Sequence, residues 1–278
     1  MASGGTFLAS GGTDELIKLY DLKRKRELGA LMQHQGTLTA LEFYQDTHLL
    51  SAGEDGLVCI WRAKDWECLA AMKGHKGRVN SIAIHPSGRL ALSVGNDRTL
   101  RLWNLLNGHK ASVHKLGREG LQVLWCDQGQ KYVILYDRNI VVYNITDASV
   151  ASTISLSTRV HCITTATLAD APESVEYLVC GGDDKHIYIY ELETGQLVTK
   201  FLAHSNRVRC VAIVNSEKPG ASQPTTLVIS ASTDGTVTVW DLATVLKGTA
   251  DGDSSSMPSL GSYNIDCRLT TMSAVSGQ

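Results

Sequence analysis

Six times along the chain an aspartate is followed, six positions later, by an aromatic residue that closes a short apolar run. The pairs are Asp14–Tyr20, Asp55–Trp61, Asp97–Trp103, Asp137–Tyr143, Asp184–Tyr190 and Asp234–Trp240. Consecutive aromatics stand 41, 42, 40, 47 and 50 residues apart. One offset kept six times is a repeat, and a repeated unit of this length buries its apolar faces by stacking against its neighbours. The most regular unit, Gly74 to Asn104, reads GHKGRVNSIAIHPSGRLALSVGNDRTLRLWN. Its apolar positions alternate in three runs, Val79–Ile84, Leu90–Val94 and Leu100–Trp103, parted by Pro-Ser-Gly and Gly-Asn-Asp. Short alternating runs punctuated by turn residues predict antiparallel strands.

The Gly-His opening, the turn aspartate and the closing Trp-Asp or Trp-Asn resemble the WD-repeat family over nearly the whole chain. The resemblance implies an all-β fold, a WD40 β-propeller, with a buried network of His, Ser or Thr, Asp and Trp inside each blade. Ten residues before the aromatics stand Ser10, Ser51, Ser93, Val133, Cys180 and Ser230. Three repeats carry the full set: His34, Ser51, Asp55 and Trp61; His75, Ser93, Asp97 and Trp103; His204, Ser230, Asp234 and Trp240. A buried carboxylate is costly unless its lone pairs are filled, and a fully satisfied network fixes one packing arrangement. The other three repeats lack the His and close on Tyr. Those with Val133 and Cys180 lack the hydroxyl as well and are expected to be less rigid.

Six endings are visible, and they mean six blades if the two incomplete ends of the chain share one. Phe7 to Gly11 reads as a second strand with no first strand before it, which favours a shortened version of a seven-bladed ring. Residues 1–278 read as a single propeller domain. Within it, residues 248–262, polar and rich in Gly and Ser, form a flexible connection, and residues 263–275, around Cys267–Met272, a closing strand. Stretches 169–176 and 215–224 lengthen the fifth and sixth repeats between first and second strands, so both are expected to project from one face. The basic run from Asp21 to Glu27 (DLKRKRE) reads as a solvated hairpin turn; as a contact for phosphates it supplies only a local, salt-sensitive attraction.

A net charge of −2 gives no global electrostatic case for nucleic acid or membrane. No apolar run reaches the length that spans a bilayer, and MASGGTFLASGG has no signal-peptide pattern. Five of the seven cysteines (Cys59, Cys126, Cys162, Cys180 and Cys210) fall in or beside expected strands without a CxxC pair, which reads as reduced thiols in an intracellular compartment. The sequon at Asn144 is then accidental. There is no GxSxG, phosphate loop, HExxH or metal-spaced Cys or His, so no catalysis, metal, cofactor or small-molecule substrate is expected.

Finer stretches narrow the resemblance. LLSAGEDGLVCIW (Leu49–Trp61), Trp66-Glu67-Cys68, KRELGAL and IHPSGRLALSVGNDRTLRLWNL are similar to a subgroup of WD-repeat proteins that bind p21-activated kinases, and to its fungal members, which assemble the large ribosomal subunit. The match runs from about Ala9 to Val275 and is stronger before Gly108. It implies a nucleolar scaffold in 60S subunit biogenesis, bound to assembly factors, ribosomal proteins and pre-rRNA of the pre-60S particle. The alternative it implies is a negative regulator that binds and inhibits a p21-activated kinase. Subgroup members have additional upstream blade sequence and a lysine-rich tail that this sequence lacks, which bears on ring closure and on RNA affinity. Positions just before the turn aspartates and at the starts of first strands should line one edge of the blades. Here they are Glu54, Asn96, Asp183 and Thr233, with Arg78, Arg159 and Arg207, the candidate partner-binding face.

Overall fold

Alternation in the repeats becomes antiparallel pairing throughout the computed structural model, which describes residues 5–168, 175–216, 225–248 and 257–274. The chain read as one domain divides by packing into two units, one up to Tyr136 and one from Asp137 onward. In the first, β1 (Phe7–Gly11), β2 (Leu16–Asp21) and β3 (Arg26–Met32) form a three-stranded sheet. Two four-stranded meanders follow. One is β4 (Leu38–Tyr44), β5 (His48–Gly53), β6 (Leu57–Arg62) and β7 (Glu67–Lys73). The next is β8 (Val79–Ile84), β9 (Leu90–Gly95), β10 (Thr99–Asn104) and β11 (His109–Lys115). The unit ends in the hairpin of β12 (Gln122–Cys126) and β13 (Lys131–Tyr136).

The second unit begins with the remaining half of that fourth repeat, β14 (Asn139–Asn144) paired to β15 (Val150–Ser155). The fifth meander is β16 (Val160–Thr167), β17 (Glu176–Gly182), β18 (His186–Glu191) and β19 (Leu197–Leu202). The sixth is β20 (Val208–Ser216), β21 (Thr225–Ser232), β22 (Thr236–Asp241) and β23 (Gly261–Asn264). A single α-helix among the described residues, α1 (Leu242–Lys247), follows β22. It is capped by Asp241, whose carboxylate accepts from the Ala243 amide. Six repeats of this kind make an all-β protein with the blades of a WD40 β-propeller.

The C-terminal expectation needs correcting. The outer strand of the last sheet, β23, starts inside the stretch read as a connection. Cys267–Met272, read as a strand, forms none. The reason is local: Asn264 accepts from the Asp266 amide and Asp266 takes φ 56°, so the chain turns away from β22 before Cys267. Thr270 instead offers its carbonyl to the Cys210 thiol at 3.6 Å. Residues 249–256 of the expected connection, 169–174 and 217–224 of the two insertions, and Val275 lie outside the described residues.

Apolar side chains fill the space between sheets. Ile17, Leu19, Leu49 and Trp61 pack between the first and second sheets, and Leu50, Val58, Ile82 and Trp103 between the second and third. In the second unit Val179, Ile187, Phe201 and Trp240 do the same. Each such fully buried side chain stabilises by about 1.5–3 kcal/mol. Trp66 sits in the β6–β7 turn at φ 59°, a strained value for a bulky residue, and packs edge-on against Phe7 with centroids 5.2 Å apart.

Polar bonds then fix the first strands to one another. Glu42 on β4 accepts from the Ile84 amide (3.1 Å) and Tyr44 donates to the Pro86 carbonyl (3.2 Å). Ser81 on β8 accepts from the Val123 amide (3.3 Å), and the Trp125 indole donates to the Ala83 carbonyl (2.9 Å). All four pairs are 42 residues apart.

Candidate functional site

The recurrent polar residues are built from the turn upward. Asp97 follows β9, and its carboxylate accepts from the Thr99 amide (3.2 Å), an Asx turn that starts β10. The residue after each turn Asp takes positive φ in five repeats: Glu15, Gly56, Arg98, Lys185 and Gly235. At Gly56 a side chain would also meet the His75 carbonyl at 2.6 Å, so glycine is required there twice over.

Around Asp97 the expected network is complete. His75 Nδ1 lies 3.0 Å from Asp97, His75 Nε2 lies 2.7 Å from Ser93 Oγ, and the Trp103 indole donates to Ser93 Oγ at 2.8 Å. Burial holds the His75 ring below its ordinary pKa against the pull of Asp97, so it is neutral. The protons then have one arrangement: Trp103 donates to Ser93, Ser93 to Nε2, and Nδ1 to Asp97. Burial alone raises the Asp97 carboxyl. Hydrogen bonds from the Lys76 amide, His75 and Thr99 outweigh it and hold the group well below the usual carboxylate range.

His34, Ser51, Asp55 and Trp61 repeat this geometry, with 2.9 Å from His34 to Asp55 and 2.8 Å from Ser51 to both His34 and Trp61. The third set differs. His204 keeps Ser230 (2.8 Å) and Trp240 keeps Ser230 (3.0 Å), but Asp234 stands 3.9 Å from His204. The Thr236 hydroxyl bridges them, accepting from His204 (2.7 Å) and donating to Asp234 (2.5 Å). Every proton in these networks is committed and the histidines are buried, so they are architecture.

Sequence reading missed the position four residues after each turn Asp. In repeats without the His it supplies the substitute partner: Lys18 sits 3.0 Å from Asp14, and the Tyr188 hydroxyl makes a short bond to Asp184. Tyr188 is correspondingly pushed up, first by burial and then by the bond to Asp184. The signal was a polar residue at i+4 across a two-stranded turn. Asp137 departs altogether. Its carboxylate faces Arg159 Nε at 3.1 Å, on the outside of the turn.

Five of the seven predicted contact residues, Glu54, Arg78, Arg159, Asp183 and Arg207, stand in ion pairs between consecutive repeats. In the first unit Arg78 donates to Glu54 at 3.4 Å, and Asn96 lies against Gly77. Arg118 stacks over Tyr136, 4.2 Å from its ring centre. In the second unit Arg207 approaches Asp183 at 3.9 Å, beside Arg159 and Asp137. Thr233 joins through its backbone, its amide donating to the Arg207 carbonyl at 3.2 Å. His161, unassigned by sequence, donates to Asp183 at 2.7 Å. Among the described residues no three His, Cys, Asp or Glu side chains are placed to hold a metal.

The WD domain, G-beta repeat family matches residues 25–62, 66–104 and 195–241. The chain is 38% identical to a p21-activated protein kinase-interacting protein 1-like protein of Danio rerio, over 98% of this chain and 68% of that one. It is 38% identical to p21-activated protein kinase-interacting protein 1 of Homo sapiens, over 87% of this chain and 58% of the relative. It is 31% identical to Protein MAK11 of Saccharomyces cerevisiae, over 88% of this chain and 67% of that one.

The chain belongs to the p21-activated protein kinase-interacting protein 1 family of WD-repeat proteins.

It spans from 58% to 68% of the length of these members, so it carries the family's repeats but less than the whole of those proteins. The family's WD-repeat character accounts for the tetrads.

Proposed function

We propose that the protein is a non-catalytic WD-repeat scaffold in assembly of the large ribosomal subunit, acting in the nucleolus on proteins and pre-rRNA of the pre-60S particle. The observation that carries this is the pairing of structure with charge. The turn ends of the sheets present Glu54–Arg78 and Asp183–Arg207 on rigid strands, while the buried His, Ser and Asp are consumed by the architecture. Rigid strands that present loops and paired charges without reaction chemistry support binding and not turnover. The assembly role rests on the similarity to the yeast relative and on the resemblance of IHPSGRLALSVGNDRTLRLWNL to its subgroup.

Sucrose-gradient sedimentation of the tagged full-length protein tests it. Enrichment with pre-rRNA and large-subunit assembly factors in the 60S region is the expected result. A signal confined to light fractions, with a kinase co-purifying, favours the second reading, in which the protein binds and inhibits a p21-activated kinase. The names of the vertebrate relatives support that reading.

A further inference from the structure

We propose that the turn end of the second unit, centred on Arg207, docks an acidic side chain of a partner protein. The proposal names the chemistry of one contact within the scaffold reading and rests on it.

Four arginines, Arg138, Arg159, Arg207 and Arg209, meet two carboxylates there, and Arg138 Nε stands 3.8 Å from Asp137. Arg159 Nε is engaged by Asp137 at 3.1 Å. Arg209 donates from Nη1 to His161 Nδ1 at 3.2 Å, and its Nε is buried without a partner among the described residues. Since His161 accepts on Nδ1, its other nitrogen carries the proton and donates to Asp183 at 2.7 Å. A relay from Arg209 through neutral His161 therefore ends on Asp183 Oδ1. That same oxygen is the nearest carboxylate atom to Arg207, at 3.9 Å, beyond hydrogen-bond reach. Arg207 is 47% exposed, and its guanidinium donates no hydrogen bond among the described residues. One guanidinium thus stands open, its planar fork of donors uncommitted to a hydrogen bond, at a place where arginines outnumber carboxylates.

The equivalent place in the first unit is closed, since Arg78 Nη1 donates to Glu54 at 3.4 Å. The repeat position is shared; the vacancy at Arg207 is not.

A carboxylate matches this vacancy. It takes two parallel N–H bonds from a guanidinium and brings negative charge to a place where arginines outnumber carboxylates. A nucleic-acid backbone fits less well, because its evenly spaced phosphates would also meet Asp183 and Asp137, exposed by 44% and 61%.

The test is an NMR titration of the whole chain, labelled on arginine, read at the side-chain Nε–Hε signals. The Arg207 signal is assigned from its loss in Arg207→Gln. The probes are acetyl-Gly-Glu-Gly-amide, its Gln counterpart and decauridylate. The Glu peptide should shift the Arg207 signal and bind about tenfold more tightly than the Gln peptide. Arg207→Gln should erase the difference and Arg78→Gln should keep it. Equal binding of the two peptides, an unmoved Arg207 signal, or preferential binding of decauridylate overturns the proposal.

Sedimentation separates this from the scaffold reading. If the wild-type protein travels with pre-60S particles while the Glu peptide leaves Arg207 unmoved, the docking contact fails alone. If the peptide binds through Arg207 but the protein stays in light fractions, the assembly role fails and the contact stands.

Discussion

Ser93 Oγ has one proton and two lone pairs, and the buried network uses the proton on His75 and a lone pair on the Trp103 indole. Ser93→Ala strands two buried polar groups at once. Unpaired buried groups cost about 1–3 kcal/mol each, so a loss of about 2–6 kcal/mol is expected in urea unfolding. A loss under about 1 kcal/mol shows that the network does not bear on stability. Ser10 occupies the same repeat position but is exposed in a repeat without the His, and Ser10→Ala should change stability by less than about 0.5 kcal/mol. Counting back from the aromatic puts both serines at the same repeat position. It could not separate their energies, because the separation depends on whether a His reaches back from the preceding connection.

Strands follow the same division between what is visible locally and what is decided by neighbours. β1, β8, β9 and β10 were legible because a period of two with a tight turn leaves few other conformations. β23 was not, since Gly261, Ser262 and Asn264 carry no apolar pattern and its four residues are all exposed. It exists because β22 offers an open edge. In the fifth repeat Asp184 lacks the tetrad His, stands 3.7 Å from His186 and binds Tyr188, whose ring also receives Lys200 at 5.0 Å. Tyr188→Phe keeps the ring and removes the donor, which should cost about 1–2 kcal/mol and raise amide exchange in β17 and β18 ahead of other strands. Unchanged exchange would mean that Asp184 finds solvent instead. Val133 and Cys180, at the serine position of the fourth and fifth repeats, are fully buried apolar fillings. A site that loses both hydrogen-bonding partners together need not lose stability, so the missing hydroxyl says little by itself about rigidity.

Acid and base act on the whole molecule from opposite sides. His75 and His204 are held below their ordinary 6.5, so the unfolded chain takes up protons first and stability falls as pH drops through that value. Asp97 and Asp234 are depressed too. Their stabilisation is full above 3.8 and disappears as pH falls toward their folded values. Glu42 works the other way. Burial pushes it from 4.5 to about 7, against the Ile84 amide, so its contribution is full below 4.5 and lost as pH rises through about 7. Denaturant midpoints measured across pH should therefore fall on both sides, and Glu42→Gln should flatten only the upper side. A profile unchanged by that substitution removes Glu42 from the account. None of this was legible beforehand: Glu42 reads as an outward residue of a strand until the neighbouring sheet is placed over it. Arg207 and Asp183 were legible as turn-end positions but not as a pair, because they meet only across two repeats. The four bonds that tie first strands together, each between positions 42 residues apart, carry a genealogical consequence. A gene that gains or loses one whole period by recombination re-creates the same four bonds between new neighbours. A gene that gains a single codon inside a first strand destroys them. Lineages built on this plan can change how many blades they count more safely than how long any inner strand is.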